Sequence, residues 1–128
     1  MKVIGIGVDI VDNSRIKKSI LNKSFLYRVF TNEEILISKN IKNKSSYFAK
    51  RFAAKEAFSK SLGTGFRDDF NFKDISVIND KLGKPSFFIS KKIKNMIKKK
   101  FKINRFNFFL SISDEEKYSM AFVILQKK

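Results

Sequence analysis

The stretch that most constrains this chain is residues 51–65, Arg-Phe-Ala-Ala-Lys-Glu-Ala-Phe-Ser-Lys-Ser-Leu-Gly-Thr-Gly. Small residues at Ala53, Ala54 and Ala57 let another element, or a ligand, come close to a helix backbone. Glu56 and Lys60 stand four apart and so share one face of that helix. Gly63 follows Leu62 where a helix takes a left-handed C′ glycine, and Gly65 continues the turn. Taken alone, a Glu-to-Lys pair at this spacing is ordinary surface, worth ~0.2–0.5 kcal/mol. Alanines so spaced more often serve packing than ligands. The rest of the chain shifts that balance.

Residues 3–11, Val-Ile-Gly-Ile-Gly-Val-Asp-Ile-Val, read as a buried strand. One face carries Ile4, Ile6, Val8 and Ile10; the other carries Val3, Gly5, Gly7 and Asp9. Two glycines inside a strand cost stability and point to close approach by another backbone or a ligand. Asp9 follows them on the same side, where a carboxylate needs a compensating partner unless the strand is an edge facing water.

Asp12, Asn13 or Ser14 can cap a following helix whose Ile16, Ile20 and Leu21 face inward. Phe25–Phe30 makes a short apolar helical turn or two, and Thr31-Asn-Glu-Glu34 has the spacing of a capping box. A Lys- and Asn-rich loop at 39–44 precedes a helix from about Ser45 to Leu62, and 66–69 reads as an irregular loop. Ile75–Asn79 and Ser86–Ile89 are strands joined by a hairpin turn at Lys81–Pro85, which holds the chain's one proline. Ser90 caps a basic helix over 91–100 with Ile93, Met96 and Ile97 inward; 106–112 and 119–125 then form a second hairpin. The order β-ααα-ββ-α-ββ, in one domain spanning 1–128, indicates an α+β fold with mostly antiparallel strands.

The chain has neither cysteine nor histidine. That excludes disulfides, thiol chemistry, a zinc site built on Cys or His, and a nucleophilic triad. Gly5-x-Gly7 lacks the third glycine of a dinucleotide fingerprint. No apolar run is long enough to span a bilayer and the N-terminus lacks a signal-peptide layout, so a cytoplasmic protein is expected. The net charge of +16 suits a polyanionic partner, although the Lys, Asn, Ile and Phe bias of an AT-rich genome produces the same excess. Asp9 and Glu56 are then the available hard oxygen ligands, with Lys60 nearby if the strand packs on the helix. Two carboxylates suit Mg²⁺, which takes further ligands from water and substrate phosphates, and hence phosphoryl or phosphodiester chemistry.

These residues carry a family resemblance. Gly5-Ile-Gly-Val-Asp-Ile10 with Arg15-Ile16 resembles the N-terminal signature of the holo-acyl-carrier-protein synthases, a 4′-phosphopantetheinyl transferase family. Arg51-Phe-Ala-Ala-Lys-Glu-Ala57 with Lys60 and Gly63-Thr-Gly65 resembles its central motif. Asn79-Asp-x-Leu-Gly-Lys-Pro85 and Ser111-x-Ser-Asp-Glu115 with Tyr118 resemble two later blocks, in the same order.

The resemblance implies a phosphopantetheinyl transferase fold and a homotrimer with active sites between subunits. It implies transfer of 4′-phosphopantetheine from coenzyme A to a serine of apo acyl carrier protein, in fatty acid biosynthesis. Asp9 and Glu56 match magnesium ligands, and Lys60 the lysine at the reacting phosphates. Gly63 and Gly65 match a turn beside the coenzyme, Gly83, Lys84 and Pro85 a loop contacting it, and Arg15 a residue docking the acidic carrier. The acceptor of the serine proton is open between a water on the metal and a carboxylate. Relatives carry a histidine near Phe109, and this chain departs from them in having none. Two other readings compete. A nucleic-acid-binding domain is disfavoured because the lysines are scattered and no known binding motif is present. A structural domain whose Asp9 and Glu56 only form ion pairs would bind no coenzyme A.

Overall fold

The computed structural model describes residues 1–63 and 70–128. The chain begins with strand β1 (Lys2–Asp12), then helices α1 (Asn13–Ser19), α2 (Lys23–Val29), α3 (Asn32–Ser38) and α4 (Lys44–Leu62). A 3-10 turn (Phe72–Asp74) leads into the hairpin β2 (Ile75–Asn79) and β3 (Pro85–Ile89). Helix α5 (Lys91–Phe101) and the hairpin β4 (Phe106–Asp114) and β5 (Tyr118–Lys127) complete it. The fold is α+β with antiparallel pairing throughout: one sheet in the order β1-β5-β4 and a separate β2-β3 pair. Four helices rather than three follow β1. The apolar turns at 25–30 form a helix in their own right because Asn22 Oδ1 accepts from the amides of Ser24 and Phe25.

Local chemistry explains most boundaries. Asp12 caps α1, Ser90 caps α5, and Thr31 and Glu34 form both halves of a capping box on α3. Helix α4 is buried nearly all round, as a helix through the middle of a domain must be. It packs on the inner face of the three-stranded sheet. On one side of it lie Phe30, Phe48 and Phe52; on the other, Phe58 meets Phe108, Phe87 and Phe70 at ring-centroid distances of 4.4, 5.0 and 5.6 Å.

The two faces of β1 settle opposite to the simplest hydrophobic expectation. A bulge between Val3 and Gly5 sets the register, pairing Gly5 with Leu125, Gly7 with Val123 and Asp9 with Ala121. Those residues look inward. Ile6, Val8 and Ile10 are exposed by 61, 50 and 63%, so the strand is buried on its glycine face only. The physical reason is backbone contact: a Cβ at Gly5 would overlap the Ser61 carbonyl, and one at Gly7 the Ala57 carbonyl. Leu21, read as inward, is instead 82% exposed, because α1 ends at Ser19.

Candidate functional site

Because the glycine face of β1 lies on α4, Asp9 meets the helix one strand step beyond Gly7. Lys60 Nζ donates to Asp9 Oδ1 and to the Val8 carbonyl, each at 3.1 Å. The Asp9 side chain is 16% exposed and that of Lys60 54%, so the pair sits at a solvent-open edge. Glu56, partly buried, stands one helical turn before Lys60 on the same face of α4. Asp9 and Lys60 thus meet where β1 crosses α4, with Glu56 one helical turn away on the same face. Among the described residues no set of three or more His, Cys, Asp or Glu could hold a metal by itself. Two carboxylates are a donor set of the kind Mg²⁺ takes, the rest of its shell being water and phosphate oxygens.

The other expected site residues fall elsewhere. Gly63 ends α4 with φ +82° and ψ −178°, positive in φ but extended in ψ rather than the left-handed helical cap expected. It lies one turn beyond Lys60, and Lys100 Nζ donates to the neighbouring Leu62 carbonyl at 2.9 Å. Gly65, like the loop expected at 66–69, lies outside the described residues. Gly83 (φ +87°), Lys84 and Pro85 form the β2–β3 turn; Lys84 is exposed there. Gly83 and Pro85 line a cleft of about 520 Å³ together with Lys50, Arg51, Asn79 and Asp114. Neither Asp9, Glu56 nor Lys60 lines that cleft. Arg51 and Lys60 are nine residues apart on one helix, a rise of roughly 13 Å. The Asp9–Lys60 pair and the cleft are therefore separate places on the chain.

Two buried cations in the central motif were not marked out by residue pattern. Lys55 is fully buried: its Nζ donates to Glu34 Oε1 at 2.6 Å, to the Val29 carbonyl at 2.9 Å and to the Phe72 carbonyl at 3.1 Å. Burial pushes its ammonium below the ordinary lysine range, against the pull of Glu34. Arg51 stacks 3.6 Å over the Tyr47 ring, and its Nη2 donates to Asn79 Oδ1 at 2.8 Å. Its buried Nε has no partner among the described residues, and burial lowers its pKa too. Arg15 projects exposed from α1, with Lys17 and Lys18 exposed alongside. That helix is fixed by Asn13, which donates to the carbonyls of Glu115 and Glu116 and accepts from Ser119 Oγ. The Ser-x-Ser-Asp-Glu block thus helps orient α1.

Comparison with known proteins points one way. Residues 5–123 match the model of the 4′-phosphopantetheinyl transferase superfamily. The holo-(acyl-carrier-protein) synthase of Pelagibacter ubique is 68% identical over 128 residues, covering both chains completely. That of Zymomonas mobilis is 44% identical, covering 97% of this chain and 96% of its own. Among solved structures, the Neisseria meningitidis synthase superposes with a TM-score of 0.84 at 40% identity, over 98% of this chain and 99% of that one. The Bacillus anthracis synthase, in complex with CoA (3′,5′-ADP), gives 0.82 at 34% identity over the full length of both.

Proposed function

The chain belongs to the 4′-phosphopantetheinyl transferase superfamily and is an enzyme of the holo-(acyl-carrier-protein) synthase kind, and on that premise we propose a magnesium-dependent transfer from coenzyme A to apo acyl carrier protein. The carrier serine oxygen bonds to the phosphorus bearing pantetheine, losing its proton, and the pyrophosphate bond breaks. Adenosine 3′,5′-bisphosphate leaves. The observation that carries this reading is the Asp9–Lys60 pair across β1 and α4, with Glu56 on the same helix face.

Asp9 and Glu56 are the residues that would hold Mg²⁺. The ion, when bound, supplies positive charge that offsets the charge developing on the phosphates. Lys60, half exposed and oriented by Asp9 and the Val8 carbonyl, can turn its ammonium to the departing bisphosphate. Gly63 borders the coenzyme on this side. Gly83 and Pro85, with Arg51 and Lys50 in the same cleft, meet it on the other, and the exposed Lys84 stands beside them on the turn.

A homotrimer with sites between copies, as the family resemblance implies, would bring the cleft of one chain and the Asp9–Lys60 pair of another to one coenzyme. The outer sheet face supplies an apolar surface for such assembly: Ile6, Val8 and Ile10 continue into Phe122, Met120 and Phe109, each at least 38% exposed. Arg15 and its neighbouring lysines fit an acidic carrier protein, and the +16 charge would speed encounter. A cytoplasmic location goes with this reaction; no helix among the described residues is long and apolar enough to cross a membrane.

Intact-protein mass spectrometry tests the proposal. Apo acyl carrier protein incubated with coenzyme A, Mg²⁺ and this protein should gain one phosphopantetheine, and EDTA should abolish the gain. Asp9→Ala and Glu56→Ala should each lose at least ~10²-fold in rate while remaining folded. Full activity in both variants would overturn the metal assignment, and a folded wild-type protein that neither transfers nor binds coenzyme A would overturn the reaction.

A further inference from the structure

Asn79 occupies a position that the chemistry above does not use. It ends β2, and its two amide arms reach in different directions. Oδ1 accepts from Arg51 Nη2 at 2.8 Å, and Nδ2 donates to the Gly83 carbonyl at 3.0 Å. One side chain therefore ties α4 to the β2–β3 turn, the two walls of the cleft that Arg51, Asn79, Gly83 and Pro85 line together.

Both tied partners are otherwise only partly fixed. Arg51 has its Nη1 on the Tyr47 carbonyl at a long 3.3 Å, and its Nε has no partner among the described residues. The far end of the turn is held by its neighbour: Asp80 Oδ1 accepts from the amides of Leu82 and Lys84, each at 2.9 Å. Those bonds shape the turn internally but do not connect it to α4. Leu82, at the tip, is 95% exposed, so packing does not anchor it either. A primary amide is the group that can do both jobs at once, since it accepts from a guanidinium and donates to a carbonyl.

We propose that Asn79 is a positioning residue for coenzyme binding, a clasp that sets the Arg51 fork and the Gly83 turn at one fixed separation across the cleft. This rests on the coenzyme A transferase reading above. Its signature is selective. Loss of the clasp widens the ground-state binding site without touching the reacting carboxylates, so KM for the coenzyme rises while kcat and the carrier's KM hold.

The test compares Asn79→Ala with Asn79→Asp in the mass-spectrometric transfer assay, at saturating Mg²⁺ and carrier. Aspartate keeps the acceptor for Arg51 but sets a carboxylate oxygen against the Gly83 carbonyl, and it keeps the native size should the alanine variant fold poorly. The expected result is a coenzyme KM raised about tenfold or more in both variants, with kcat within about threefold of wild type. A coenzyme KM within about twofold of wild type in both, a rise confined to the alanine variant, or an equal loss in kcat overturns the clasp. No transfer by the wild-type chain overturns the transferase reading and the clasp with it; transfer by the wild type restricts the outcome to the clasp alone.

Discussion

Lys55 and Lys60 stand five residues apart on α4, and each meets a carboxylate, but their surroundings are opposite. Lys55 is sealed in the core and donates to groups that are themselves fixed: Glu34 and the carbonyls of Val29 and Phe72. Glu34 in turn accepts from the amides of Thr31 and Val77, so the pair joins α3, α4, the 3-10 turn and β2. Lys60 shares its Asp9 with solvent and keeps more than half of its side chain exposed. A fully satisfied buried pair is costly to disturb and contributes order. An exposed pair contributes little to stability and can exchange its partner for a substrate phosphate. The same motif thus carries a buried strut on one face and, on another, the solvent-open lysine proposed to meet the phosphates.

The largest effect comes from breaking the strut. Lys55→Met should lose about 3–5 kcal/mol in urea unfolding, because it leaves Glu34 buried without its cation. Lys60→Met should change stability by less than about 1 kcal/mol while reducing transfer at least ~10²-fold. Adding Glu34→Leu to Lys55→Met should recover only part of the loss, since the Thr31 and Val77 amides lose their carboxylate acceptor. Equal stability losses in the two single lysine variants would erase the distinction.

The next effect tests what holds the working pair together. At Gly7 the β1 backbone lies against the Ala57 carbonyl, and a methyl group would have to displace the helix. Gly7→Ala should therefore cost about 1–3 kcal/mol as overpacking does, and should also lower transfer by drawing Lys60 away from Asp9. The Lys55 strut lies on the far side of α4 from β1, on the α3 and β2 side. A Gly7→Ala protein with wild-type stability and wild-type turnover would show that close approach of β1 and α4 is dispensable.

How these features could be read from residue order follows the same division. The glycines of β1, the alanines of α4 and the capping box at Thr31 are local signals, and each forms as its spacing indicated. Asp9 and Lys60 meet because those small residues let strand and helix touch. Lys55 could not be told from its neighbours, since a lysine beside Glu56 in a helix reads as surface and its partner lies 21 residues away. Glu34 was legible as a cap but not as a core anion. The Arg51–Asn79 contact spans 28 residues and has no local signature. The strand 3–11 reads as buried, whereas Ile6, Val8 and Ile10 are exposed; the backbone contact is on the opposite face, which leaves the isoleucine side for another partner.

The smallest effect removes lysine from the comparison altogether. Asp12 is fully exposed at the start of α1, and it is held by neutral donors: Ser14 Oγ at 2.7 Å and the Ser14 amide at 2.8 Å. The Ser14 hydroxyl, followed by its amide, keeps the carboxyl below its ordinary value of 3.8, with Lys18 a lesser contributor. The sign follows from a folded pKa depressed below the unfolded one: the cap's stabilising contribution is complete above about pH 3.8 and is lost as pH falls through the folded value. Ser14→Ala removes the largest of these causes and leaves the amide, so Asp12 should titrate between the wild-type and ordinary values. Carbonyl-carbon NMR titration of the two proteins reads this directly. If Asp12 titrates identically in both, the hydroxyl contributes nothing and the backbone amides with Lys18 account for the depression. A measured difference would show that a neutral hydroxyl donor helps to hold an exposed carboxylate ionised.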